Sequence, residues 1–346
     1  MSTNIGRRTL LGAAPLAAAA LAASARPARA GGQVVVGTWG GDYAELLTRN
    51  VEKPLLAPQG IEVLQDIGSQ DARKAKLIAE RNGRRSSMDV VHLSDTDMYQ
   101  MAQLGVFDDV PADIVTNAKN IIPALHRAYS IPHIFSGQVI LYNPDKIKTP
   151  PKGFADLWDP KWKGRVGIPD LNYPAVTFGT AIMAGGSMGN WEPAKKALLD
   201  LKKNKPVVYP SHEAMAQALK AEEVWIAPMW LARTYMWRKA GLKIAHIVPE
   251  EGAIPVIFEA AVTKHAQNKA NGWAYLNAML DAGAQAGFAD RMGYVPTVTN
   301  ARLPDDLAAQ IGFTPAQQAK FNVPNYEYQA KNLPAILDFW NREFKA

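Results

Sequence analysis

The chain contains no cysteine, which excludes thiol nucleophiles, thiolate metal sites, redox pairs and any disulfide staple. Histidine is sparse. The six (His92, His126, His133, His212, His246 and His265) show no metal-ligand spacing such as H-E-x-x-H, and most read as surface or loop residues. Positive charge is scarce too, once the first thirty residues are set aside. They carry Arg7, Arg8, Arg26 and Arg29 and no acid, so the formal charge falls from +6 to +2 without them. No Lys/Arg cluster with interleaved aromatics follows, which argues against a nucleic-acid partner. No apolar run beyond residue 30 is long enough to span a bilayer.

What the N-terminus does have is an address. Arg7-Arg8 precede Thr9-Leu10-Leu11, an uncharged Ala/Leu-rich run covers residues 12–25, and Ala28-Arg29-Ala30 offers a small-x-small cleavage site. The arginine pair resembles a twin-arginine export signal, with Leu10 at its hydrophobic position. Residues 1–30 are therefore expected to be a signal peptide cleaved near Ala30, leaving a soluble periplasmic protein. The remaining length suits one large or two medium domains.

Strand and helix signals alternate along the rest. An apolar β run over 34–39 breaks at Gly40-Gly41 and opens a helix at Asp42, read as its N-cap. Strands are expected over 61–64 and 88–93, with a helix over 72–79 between them and a short one after Ser94. A second α/β unit follows: strands over 138–143, 165–168, 207–209 and 224–230, and helices over 176–183, 192–201 and 212–220. Pro228 argues for an edge or strand-end position. A strand over 256–262, a long helix over 269–284 and a C-terminal helix over 335–344 with Ile336, Phe339 and Trp340 on one stripe complete the chain. Such alternation predicts parallel sheet covered by helices, with ligands beyond the carboxyl ends of the strands.

Several stretches carry a family resemblance. Trp39 with Asp42-Tyr43, residues 88–94, Tyr129-Ser130-Ile131-Pro132 with 138–143, the run Phe154-Ala155-Asp156-Leu157-Trp158-Asp159-Pro160-Lys161-Trp162-Lys163-Gly164, Gly293-Tyr294 and Tyr328-Gln329 resemble, in order and spacing, the type II periplasmic solute-binding proteins of ABC importers, in the spermidine/putrescine-binding branch. The resemblance covers residues 33–343. It implies a periplasmic binding protein-like II α/β fold, two lobes joined by a hinge with the ligand cleft between them. Lobe 1 would hold 31–134 plus about 253–305, lobe 2 would hold 135–252, and 306–346 would pack across both. It also implies a monomer without cofactor, metal or enzymatic activity that delivers a small solute to a membrane permease.

By the same resemblance, ligand contacts fall on Trp39, Asp42, Tyr43, Ser94 and Asp95 in the first lobe, Asp170, Tyr173 and Trp230 in the second, and Tyr294 and Gln329 late in the chain. Trp and Tyr faces attract protonated amines, and Asp170 could bind an ammonium group. The other available readings are core aromatics for Trp39 and Trp230 and a turn or cap role for Asp170. Two departures bear on the solute. The family's key acid on the returning strand aligns with Phe258, leaving Glu259 on the opposite face, and a second acid falls near Tyr173. Arg233, three residues after Trp230, offers a fork for a carboxylate, or is an exposed surface arginine. The expected solute is an amine-bearing molecule: a polyamine such as putrescine or spermidine, or alternatively a zwitterion such as 4-aminobutyrate, an amino acid or an opine. Rival classes lack residues. His92, Ser94 and Asp95 form no triad geometry, and no adjacent tyrosine pair suggests a ferric-ion site.

Overall fold

The computed structural model describes residues 31–346; the export signal expected over 1–30 lies outside the described residues. Strand β1 (Gly32–Thr38) leads into α1 (Asp42–Leu47), followed by β2 (Ile61–Ile67), α2 (Gln70–Glu80), β3 (Val90–Ser94) and α3 (Asp95–Gln103). The long β4 (Ile131–Tyr142) comes next. After it stand β5 (Gly167–Pro169), α4 (Tyr173–Met183), α5 (Glu192–Leu201), β6 (Val207–Tyr209), α6 (His212–Lys220), β7 (Ile226–Trp230), α7 (Leu231–Lys239) and β8 (Ala245–Ile247). The chain closes with β9 (Pro255–Val262), α8 (Lys269–Met279), α9 (Ala282–Met292), β10 (Val295–Pro296), α10 (Asp305–Ile311), α11 (Pro315–Gln318) and α12 (Tyr326–Phe339).

The apolar, β-branched β1 pairs in parallel with β2 and β3, as strand–helix alternation requires. Strand β9 inserts antiparallel between β3 and β4. Strand β4 belongs to both halves: up to Gly137 it pairs with β9, and from Gln138 to Tyr142 it pairs with β7. It starts seven residues before the strand expected at 138, because Pro132 and a register shift between Pro132 and Ile134 hide its first half from periodicity. All twelve of its residues are buried.

Two main cores result. Val34, Leu47, Leu276 and Phe288 belong to one; Ile140, Phe178, Trp191 and Leu198 belong to the other. Ile336, Phe339 and Trp340 join the second core as their stripe predicts, each contributing about 1.5–3 kcal/mol by burial. The N-terminal part of the same C-terminal stretch is also helical: α12 begins at Tyr326, capped by Asn325, and contacts both α3 and α4. The helix expected over 269–284 is instead two, because the Asp281 side chain accepts from the Ala284 N–H at 2.9 Å and starts α9. Asp42 is not the cap of α1. Gly41 holds that position at φ 62°, a left-handed turn that suits glycine, and Asp42 is the first helical residue. Among the described residues, no helix is long and apolar enough to cross a membrane.

Candidate functional site

The carboxyl ends of β1 and β7 and the middle of β9 bring four aromatic side chains together. Phe258 lies opposite Ser94 on one side and Ile134 on the other. Its ring meets Trp39 at 5.3 Å, Trp230 at 6.0 Å and Tyr294 at 5.5 Å between centroids, each pair nearly perpendicular. Edge-to-face pairs of this kind contribute about 0.5–1.5 kcal/mol apiece beyond area burial. The cluster joins residues from both halves, and Trp39 and Trp230 are only partly buried, so it keeps some ring surface exposed.

One face of Trp39 is already taken by a cation. The Arg73 guanidinium carbon lies 4.5 Å from its ring centroid. Arg73 is 1% exposed and is held by the carbonyls of Thr38, Gly68 and His92 at 2.7–2.9 Å. Burial lowers its pKa to about 10, so it keeps its charge at neutral pH. This residue was not among those anticipated, although its i, i+4 spacing from buried Leu77 puts it on the inner face of α2.

Tyr43 is buried, and its hydroxyl lies 2.9 Å from His133 Nδ1. His92 packs against the same ring and lies 3.0 Å from the Thr38 hydroxyl. The surface reading of the histidines fails for three of them: His92, His133 and His212 are buried. Burial holds His92 far below its ordinary pKa and brings His133 to about 3, so both stand neutral in the core.

The anticipated acids are spoken for. Asp42 pairs with Arg291 at 3.0 Å. Asp95, 5% exposed, accepts from the Tyr326 hydroxyl at 2.9 Å, and burial raises its pKa to about 6. The neighbouring Thr96 hydroxyl donates to Gln329 Oε1 at 3.0 Å. Ser94 receives the Gln70 amide at its hydroxyl and donates its N–H to Gln70 Oε1 at 2.7 Å. Asp170 accepts from Trp340 Nε1 at 2.7 Å and from Lys345 Nζ at 2.8 Å. Tyr173 stands beside Trp340, its pKa pushed up to about 12 by burial and then by the charges of Asp97, Asp71 and Asp170. Glu259 does not join this set. It points to the other face of β9, where it accepts from the Ser130 hydroxyl at 2.5 Å, and burial raises its pKa to about 8.

Arg233 differs from all of these. It sits in the first turn of α7 just beyond Trp230, is partly buried, and has no carboxylate within ion-pair distance among the described residues. Its Nε is buried without a partner. After burial itself, the Arg233 charge is the next cause holding the His212 pKa down at about 4, and it opposes the rise that burial gives Tyr294. Ring surface beside a partly buried guanidinium with an unpartnered nitrogen is the kind of lining a small-molecule site presents.

The comparisons agree with that class. Residues 89–332 match the family described as bacterial extracellular solute-binding protein, and the chain belongs to it. It is 27% identical over 250 residues to the spermidine/putrescine-binding periplasmic protein of Escherichia coli (strain K12), covering 68% of this chain and 70% of that protein. Among solved structures it resembles the Atu4243-GABA receptor, with TM-score 0.79, 20% identity, and 91% and 98% of the two chains covered. It also resembles AgtB of Agrobacterium tumefaciens R10 in complex with agropinic acid, with TM-score 0.73, 21% identity and coverage of 91% and 99%. The fold is thus the bilobed α/β architecture of type II periplasmic binding proteins. By that membership the chain is a non-catalytic solute-binding protein, and a small-molecule solute, an extracytoplasmic location and a permease partner are consistent with its family.

Proposed function

We propose that this protein captures a zwitterionic solute, a small organic molecule bearing both a carboxylate and an amine, and works as a monomer that reaches the periplasm by the twin-arginine route and delivers its cargo to a permease. One observation carries the reading: Arg233, just beyond Trp230, has a buried Nε without a partner and no carboxylate within ion-pair distance among the described residues, whereas Asp170 is satisfied by Trp340 and Lys345. A partly buried guanidinium with an unpartnered nitrogen gains from the bidentate contact that a carboxylate offers. The ring surfaces of Trp39, Phe258, Trp230 and Tyr294 pack the body of the solute. Arg73 behind Trp39 also weighs against a second ammonium there.

The polyamine reading keeps one observation of its own, the name of the curated Escherichia coli relative. It requires Lys345 and Trp340 to release Asp170. Tryptophan-fluorescence titration with putrescine, spermidine, 4-aminobutyrate and individual amino acids separates the two, supported by native mass spectrometry of the protein as purified. The expected result is saturation by a carboxylate-bearing amine and a loss of about 100-fold in its affinity on Arg233→Met, the scale of a charge-assisted contact. Tight putrescine binding that Arg233→Met leaves unchanged would overturn the reading.

A further inference from the structure

Gln138 is fully buried, and neither its amide oxygen nor its amide nitrogen has a hydrogen-bond partner. Its position in the register says where it faces. Ile134 stands opposite Phe258, Ser136 opposite Val256, and Gln138 opposite Trp230. Alternate residues of a strand share a face, so Gln138 lies on the side of β4 that carries the Phe258 and Trp230 rings. Two residues back, the Ser136 hydroxyl accepts the Ala232 N–H at 3.0 Å and fixes the first turn of α7, on which Arg233 is the next residue. Trp230 is therefore flanked by three unmet hydrogen-bonding atoms: Oε1 and Nε2 of Gln138 across the strand, and Nε of Arg233 three residues on.

A buried amide left unpaired is costly, and native proteins keep such groups where something else completes them. The chemistry of the missing partner is restricted. Oε1 only accepts and Nε2 only donates. A polyamine offers donors alone, and a simple carboxylate offers acceptors alone. An α-amino-acid end offers both on adjacent atoms. We propose that Gln138 is a specificity-determining residue that recognises the α-amino-acid end of the solute, its amide oxygen taking the ammonium and its amide nitrogen sharing the carboxylate with Arg233. This rests on the reading of Arg233 as the carboxylate-binding group, and it separates an α-amino acid from an ω-amino acid such as 4-aminobutyrate, whose two charged ends are too far apart to meet one amide.

The test is Gln138→Met, which keeps the length of the side chain and removes both polar atoms. Wild type and variant are compared for melting temperature without solute and for affinity, by calorimetric titration, towards each of the twenty α-amino acids, 4-aminobutyrate and putrescine. The expected result is an α-amino acid as the tightest wild-type ligand, its affinity falling at least about 30-fold in the variant, while the solute-free variant melts no lower than wild type. The proposal is overturned if affinity is unchanged, if the variant melts markedly lower so that Gln138 serves the protein's own packing, or if no α-amino acid binds or 4-aminobutyrate or putrescine binds more tightly. Arg233→Met runs in parallel. Loss of affinity on Gln138→Met alone would sink the carboxylate reading of Arg233 and with it the shared carboxylate, leaving Gln138 as a solute contact of another kind; loss on Arg233→Met alone would sink the Gln138 contact and leave the reading of Arg233 standing.

Discussion

The Lys345 ammonium lies 2.8 Å from the Asp170 carboxylate across 175 residues of sequence. The acid that the family resemblance offers to a cationic solute is thus countered from 175 residues further along the same chain, with Trp340 donating to its other oxygen. Replacing Lys345 by Met should therefore raise the affinity for putrescine several-fold, measured by the same titration, with little change in melting temperature because the pair is about a third exposed. Asp170→Asn should cost about 1 kcal/mol through the weakened Trp340 bond. Unchanged amine affinity in Lys345→Met would mean that Asp170 is not directed at the solute even when freed.

Phe258 sits where three other rings converge. Phe258→Asp would place an anion among Trp39, Trp230 and Tyr294, on the same face as Ser94. A carboxylate-bearing solute should then bind at least about tenfold more weakly and putrescine more tightly, since a buried like charge is repelled and an opposite one attracted. A uniform loss for both solutes, with the fold intact by circular dichroism, would count against ring packing as the scaffold of specificity.

Glu259 and Asp95 are two buried carboxyls under α12, and both have pKa values raised chiefly by burial, to about 8 and about 6. Facing them are Ser130, Arg127, Tyr129 and Tyr326. The folded state holds these protons more tightly than the unfolded chain does. Stability is therefore fully present below the ordinary carboxyl range and is lost as pH climbs through 6 towards 8. Glu259→Gln keeps an acceptor for Ser130 and removes the titration. It should melt about 3 °C or more above wild type at pH 8 and match it near pH 5. A gap between the two proteins that does not vary with pH would rule the mechanism out.

The sequence made the alternating framework legible because each half buries strands whose apolar residues alternate with capped helices. Ser211 caps α6 as read, and β6 falls on residues 207–209. It also put Trp39, Trp230 and Tyr294 on one list, and their rings do converge through Phe258. Local pattern could not show which polar groups were already satisfied. The partners of Asp170, Asp42 and Asp95 come from Lys345, Arg291 and Tyr326, each more than 170 residues away. Periodicity treats a buried charged residue as an exception, which is how Arg73 escaped notice. For Phe258 and Glu259, strand alternation alone was enough to send them to opposite faces, and there they lie.

Because β4 threads both halves, a chain cut beside Gly137 would strip β9 and β7 of a neighbour at one stroke. Two fragments made there would each carry a raw ribbon edge and would mend by annealing that seam. A cut in the loop after Gly241 would sever no shared strand, and reassembly at the two places should differ accordingly.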